Sequence, residues 1–92
     1  MAKKDPVSFI LRAKNRIKVL ESLEEGDKIS GQIEKETGMY KSHVNRALTE
    51  LKNESLIECR NPDDRYYQFH RLTQKGKTVL KKAKDILKQI ET

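Results

Sequence analysis

Apolar residues return along this chain in two rhythms, one helical and one alternating, and the switches between them outline the elements. Phe9, Ile10, Ala13, Ile17, Leu20 and Leu23 recur at three-to-four spacing behind Asp5-Pro6, which suits an N-cap followed by proline at the first helical position. The spacing predicts one helix over 5–25, ended by Gly26-Asp27. Lys28-Ile29-Ser30 reads as a very short strand, with Ser30 capping a second helix over 31–37 that turns Ile33 inward and stops at Gly38. A third helix is predicted over 40–54, where Val44, Ala47, Leu48 and Leu51 stand at i, i+3, i+4 and i+7.

The rhythm then shortens. Residues 56–60 and 66–72 are rich in β-branched and aromatic side chains and are separated by the turn-forming Asn61-Pro62-Asp63-Asp64-Arg65, which predicts a β-hairpin. Both faces of its second strand have apolar members, Tyr67 and Phe69 on one and Tyr66 and Leu72 on the other, so the pattern leaves the buried face open. Helical spacing resumes after Thr73, an N-cap candidate, and Val79, Leu80, Ala83, Ile86, Leu87 and Ile90 form one broad apolar face over 74–90. Gly76, in the first turn, reads as a place where this helix approaches the hairpin closely.

The order is therefore α-β-α-α-β-β-α, a mostly α chain with a small β-hairpin (α+β). Two short helices joined by a glycine turn, followed by a hairpin, make a winged helix-turn-helix. At 92 residues, residues 1–92 are expected to form one domain. With 35% hydrophobic and 37% charged residues its core must be thin. The apolar face of the last helix is wider than such a domain needs. Elements 5–25 and 74–91 are accordingly expected to dimerise through Phe9, Ile10, Val79, Ala83, Ile86, Leu87 and Ile90, giving a two-fold homodimer.

The net charge of +6 and the pI near 9.5 suit a polyanionic partner, although the basic excess lies toward the two ends of the chain. Cys59 is the single cysteine, so no internal disulfide and no cysteine-based metal site is expected, and a reducing cytoplasm fits. Cys59 and His70 read as strand packing residues. No apolar run approaches the roughly 18 residues of a membrane span, and the first residues lack a secretory h-region, so the expected setting is cytoplasmic with no membrane partner. No Ser-His-Asp set, glycine-rich phosphate loop or pocketed carboxylate pair can be justified by spacing, so neither catalysis nor a cofactor is expected.

The stretch TGMYKSHVNRALTELKNESLI (37–57) resembles the helix-turn-helix of the MarR family, in which a T-G-L-S-like turn leads into V-S-R and the segment closes on L-x-x-x-G-L-I. DRYYQFHRLTQKG (64–76) resembles that family's D-x-R wing followed by L-T-x-x-G, a layout that ArsR-like and PadR-like regulators largely share. Three positions depart from the pattern: Tyr40 replaces a capping serine, Ser55 a glycine, and Tyr66 what is often a second wing arginine. The resemblance implies a transcriptional regulator that binds double-stranded DNA. In MarR proteins a small-molecule effector commonly acts too, but no residue here supports one.

A major groove about 12 Å wide admits one helix whose outward side chains reach base edges. With Val44, Ala47, Leu48 and Leu51 inward, Ser42, Asn45, Arg46 and Thr49 face out; Arg46 suits guanine, Asn45 adenine and Thr49 a thymine methyl. Tyr40, Lys41, Ser42 and His43 stand at the first turn, where phosphate contacts are favoured. Arg65, at the tip of the wing over 61–65, is expected at the minor groove with Asp64 orienting it. The competing reading is a winged-helix protein-protein interaction module of a transcription or replication assembly, in which the same polar face meets a protein.

Overall fold

The computed structural model describes residues 5–91. The chain forms α1 (Pro6–Leu11), α2 (Lys14–Glu24), α3 (Ser30–Thr37), α4 (Lys41–Asn53), β1 (Ile57–Cys59), β2 (His70–Leu72) and α5 (Gln74–Glu91).

The expected first helix is two. Asp5 caps α1 as predicted, its carboxylate accepting from the Val7 N–H at 3.0 Å, but the chain leaves helical geometry at Ala13 (φ −139°, ψ 113°). The break lets α1 pack on α5 while α2 packs on α4, two directions that one straight helix cannot serve. Arg16 closes the corner. Its guanidinium donates to the Phe9 carbonyl, lies 3.8 Å from the centroid of the Phe9 ring and pairs with Glu50 at 3.1 Å. No residue between Leu11 and Lys14 is a local helix breaker, so long-range packing overrides propensity here.

The short strand before α3 is a single bridge, antiparallel between Lys28 and His70, with Lys28 N–H to the His70 carbonyl at 3.1 Å and the reverse bond at 2.8 Å. The buried Lys28 ammonium donates to the Ser22 carbonyl at 2.6 Å and pairs with Glu25 and Glu36, tying α2 to α3. Burial alone would lower the Lys28 pKa, but its bonds to Glu36 and Glu25 and their charges outweigh that and hold it above the ordinary value. Ser30 is not the cap: Ile29 occupies that position, and the Gln32 side chain reaches back to accept from its N–H at 3.0 Å.

Gly38 ends α3 at φ 71°, the left-handed stop that its sequence position predicts. In α4, Val44, Ala47, Leu48 and Leu51 are all buried, each large side chain contributing about 1.5–3 kcal/mol by leaving water. The helix closes with paired bonds from the Leu56 N–H to the Leu51 carbonyl and from the Ser55 N–H to the Lys52 carbonyl. That motif places Ser55 at φ 60°, the conformation for which glycine is suited, and accounts for the departure noted in the sequence.

The β1–β2 register pairs Ile57 with Leu72, Glu58 with Arg71 and Cys59 with His70. Residues 66–69, expected in the second strand, lie outside it. Within β2 the inward members are His70, buried, and Leu72, half-buried, while Arg71 faces solvent, which answers the question of the buried face. Thr73 caps α5 as predicted, its hydroxyl accepting from the Gly76 N–H at 2.9 Å and donating to the Ser55 carbonyl at 2.7 Å. A Cβ on Gly76 would stand 1.9 Å from the Leu56 carbonyl oxygen, so only glycine permits α5 this close to the base of the hairpin.

Candidate nucleic-acid interface

Burial of its apolar stripe decides what α4 presents to solvent. Lys41, Ser42, His43, Asn45, Arg46 and Thr49 are all exposed on the opposite side. Tyr40 precedes the helix as N-cap without a side-chain capping bond, so the first-turn N–H groups keep no hydroxyl acceptor from it. Its ring meets His43 edge-on, with centroids 5.7 Å apart. Thr49 donates to the Asn45 carbonyl at 3.0 Å, which leaves its methyl free for an apolar contact. The Arg46 side chain is 81% exposed and only loosely held, its Nε 3.9 Å from Glu50. Glu50 binds Arg16 more closely, at 3.1 Å, so Arg46 can leave without depriving the half-buried carboxylate of its cation.

The predicted wing residues lie across an open groove of about 570 Å³ from this helix. Lys41, Asn45, Thr49 and Lys52 of α4 and Arg65, Tyr66, Tyr67 and Gln68 of the wing line it, and α3 contributes Ser30, Gly31 and Glu34. The fold thus gathers half of the expected DNA-contact residues, Lys41, Asn45, Thr49 and Arg65, around one concavity. His43 and Arg46 stand apart, beside Asn15 and Arg16 at the start of α2, where the α1–α2 break brings a second set of polar groups to the same helix.

Arg65 makes no ion pair among the described residues. Asp64 does not orient it. Its carboxylate instead accepts from the Tyr66 N–H at 2.8 Å and the Tyr67 N–H at 2.9 Å, two bonds to the charged form that hold its pKa below the ordinary carboxylate value. The loop brings two backbone N–H groups within hydrogen-bond distance of the carboxylate, and proximity decides its partners. Asn61, which the sequence marked only as a turn former, does comparable work: its amide donates to the Tyr67 carbonyl at 2.7 Å and accepts from the Phe69 N–H at 2.8 Å. The Asn-Pro-Asp-Asp composition signals such bonds without saying which residue makes them.

At the root of the wing His70 is buried, with Nδ1 unpaired. Desolvation, reinforced by the charge of Lys52, lowers its pKa to about 4, so it is neutral near pH 7. Cys59 is half-buried and its thiol lies 3.9 Å from the Asn61 amide oxygen, consistent with a packing residue. Among the described residues, no group of three or more His, Cys, Asp or Glu is placed to hold a metal, and no helix is long and apolar enough to cross a membrane.

The surface expected to dimerise divides. Phe9, Ile10, Val79 and Ala83 are buried in this chain's own core, because α1 folds onto α5, and are not available to a partner. Leu87 is half-buried, Ile86 lies at the edge of exposure and Ile90 is 73% exposed. Only the distal half of the α5 stripe remains uncovered.

This architecture matches solved winged-helix structures. The MarR family transcription regulator SP03579 superposes with a TM-score of 0.73 at 23% identity, over 92% of this chain and 61% of that one, so the chain spans about three fifths of that protein's length. A PadR family transcription regulator from Clostridium difficile R20291 gives 0.76 at 20% identity over 86% and 92% of the two chains. The homodimeric winged helix-turn-helix DNA-binding domain of Mb0332 from Mycobacterium bovis, a possible ArsR-family regulator, gives 0.68 at 22% identity over 99% and 91%. These likenesses establish the winged helix-turn-helix fold. No curated protein matches the chain. Residues 4–92 match the family described as the HVO_A0261 N-terminal domain, so nearly the whole chain is accounted for by one family, and it belongs to the HVO_A0261 N-terminal domain family.

Proposed function

We propose that this chain is a sequence-specific double-stranded DNA-binding domain of a transcriptional regulator, with α4 in the major groove and the wing at the minor groove. The observation that carries this reading is the shared concavity: Lys41, Asn45, Thr49 and Lys52 of α4 and Arg65 of the wing line one groove, with Arg46 exposed on the same helix. Arg46 and Asn45 read base edges, Thr49 meets a thymine methyl, and Tyr40, Lys41, Ser42 and His43 contact phosphates at the first turn. Arg65 enters the minor groove, whose negative potential attracts a guanidinium that has no ion pair among the described residues. The solved structures of the same fold, whose names are those of transcription regulators, support the reading.

Two copies associate through the uncovered distal half of α5, around Ile86, Leu87 and Ile90, and place their α4 helices in successive major grooves about 34–36 Å apart. A concentration-independent monomer mass at micromolar levels in analytical ultracentrifugation would remove the dimer.

Selection of bound duplexes from a random pool tests the DNA reading. Arg46→Ala is expected to change the preferred site, losing about 1–3 kcal/mol of discrimination at one base pair. Arg65→Ala is expected to weaken binding to all duplexes and to lower the salt slope by about one. Absence of duplex binding even at low salt would favour a protein-binding module.

A further inference from the structure

The wing displays more aromatic surface than a turn requires. All three tyrosines of the chain are exposed: Tyr66 by 86%, Tyr40 by 76% and Tyr67 by 61%. The two phenylalanines behave differently, Phe9 being buried and Phe69 half-buried with the Arg60 guanidinium 4.5 Å from its ring centroid. Aromatic rings therefore sort by position. An exposed ring forgoes the large favourable free energy of burial, so a pair at one loop tip marks a surface that a partner covers.

The pair is also preset. Asp64 accepts from the backbone N–H of both tyrosines, and Asn61 donates to the Tyr67 carbonyl and accepts from the Phe69 N–H. Gln68 donates to the Pro62 carbonyl at 3.3 Å across the same loop. A loop held by its own side chains presents its rings without the ordering entropy that a flexible tip would lose on binding. The rings stand immediately after Arg65 and line the same groove as Lys41 and Lys52, so three cations against the single carboxylate of Glu34 give that groove a basic balance suited to a polyanion.

Resting on the DNA-binding reading, we infer that Tyr66 and Tyr67 form an aromatic wing that packs against bases and sugars of duplex DNA at an easily unstacked step. Neutral rings displace no counterions, so their contribution is independent of salt, unlike that of Arg65. Pyrimidine–purine steps unstack most readily, so the contact makes affinity depend on sequence at base pairs that α4 does not reach.

The test uses the duplex selected by the parent protein and two double variants, Tyr66→Phe with Tyr67→Phe and Tyr66→Ala with Tyr67→Ala. The phenylalanine pair is expected to bind within about twofold of the parent. The alanine pair is expected to bind more weakly by a factor on the order of ten or more, as when stacked rings are removed, with the salt slope unchanged. A 2-aminopurine at the step that the wing protects should brighten with the parent and the phenylalanine pair but not with the alanine pair. Alanine variants that bind as tightly as the parent would overturn the inference alone, and so would phenylalanine variants that lose as much as alanine, since the hydroxyls would then make the contact. A parent that binds no duplex at low salt would remove the DNA reading together with this inference.

Discussion

Helix α4 and the wing face one groove but are held there by opposite means. Helix α4 is fixed by burial, with Val44, Ala47, Leu48 and Leu51 all in the core. The wing beyond β1 buries almost nothing: residues 62–67 are exposed, and Asn61 and Asp64 shape them through bonds to backbone groups. Burial couples α4 to the stability of the whole domain, whereas local polar bonds leave the wing nearly independent of it. The same interface thus has one side that cannot be loosened without unfolding the domain and one that can.

The strongest attempt to break this contrast is Leu51→Ala in α4. A fully buried leucine truncated in place costs about 2–5 kcal/mol, read as a fall in the urea midpoint. A loss below about 1 kcal/mol would mean that α4 is not held by its apolar face.

His70 lies where the two regions join, and its effect depends on pH. Its folded-state pKa, about 4, is below the ordinary 6.5, so the folded protein binds fewer protons between those values. Stability is complete above about pH 6.5 and falls as the pH descends from there toward 4, by at most about 3 kcal/mol at roughly 1.4 kcal/mol per pH unit. Denaturation curves across this range should show the stability difference between His70→Phe and the parent shifting in the variant's favour on acidification; a constant difference would exclude the histidine.

Ser55→Gly, where α4 hands over to the hairpin, relieves a left-handed backbone at φ 60°. It is expected to raise stability by about 1 kcal/mol, seen as a higher Tm. An unchanged or lower Tm would show that the serine bears no strain there.

Asn61→Ala sharpens the comparison from the wing side. It should lower global stability by no more than about 1 kcal/mol while hydrogen exchange at the Tyr67 and Phe69 amides accelerates. Equal acceleration in α4 would contradict the independence of the wing.

The smallest effect is expected from Asp64→Asn, which keeps an acceptor for the Tyr66 and Tyr67 N–H groups and removes a negative charge from the tip. Its urea midpoint should match the parent's and its DNA affinity should equal or exceed it, whereas Asp64→Ala should weaken binding. Acidification distinguishes the two: the parent's wing is ordered above the ordinary carboxylate pKa and loosens as pH falls through the lowered one, while the asparagine variant is insensitive.

Periodic elements were legible. The α4 stripe, the Gly38 stop, the Thr73 cap and the close approach at Gly76 follow from spacing and residue type, because each is a local requirement that only certain side chains meet. The exposed faces of the candidate site were legible for the same reason, being the complement of the buried stripe. The break at Ala13 was not, since the residues around it favour a continuous helix. Nor was the true partner of Asp64, because the choice between a neighbouring arginine and two backbone N–H groups depends on how the loop is folded.

By itself the sequence determined the order of elements from α3 onward, the winged helix-turn-helix class and which side of α4 meets solvent, since periodicity encodes burial along one element. Only the tertiary structure decided that α1 and α2 part company, that Phe9, Ile10, Val79 and Ala83 belong to the chain's own core, and that the wing is shaped by Asn61 and Asp64. Those outcomes depend on which surfaces meet in space, and competition between several chemically acceptable partners is resolved only by distance.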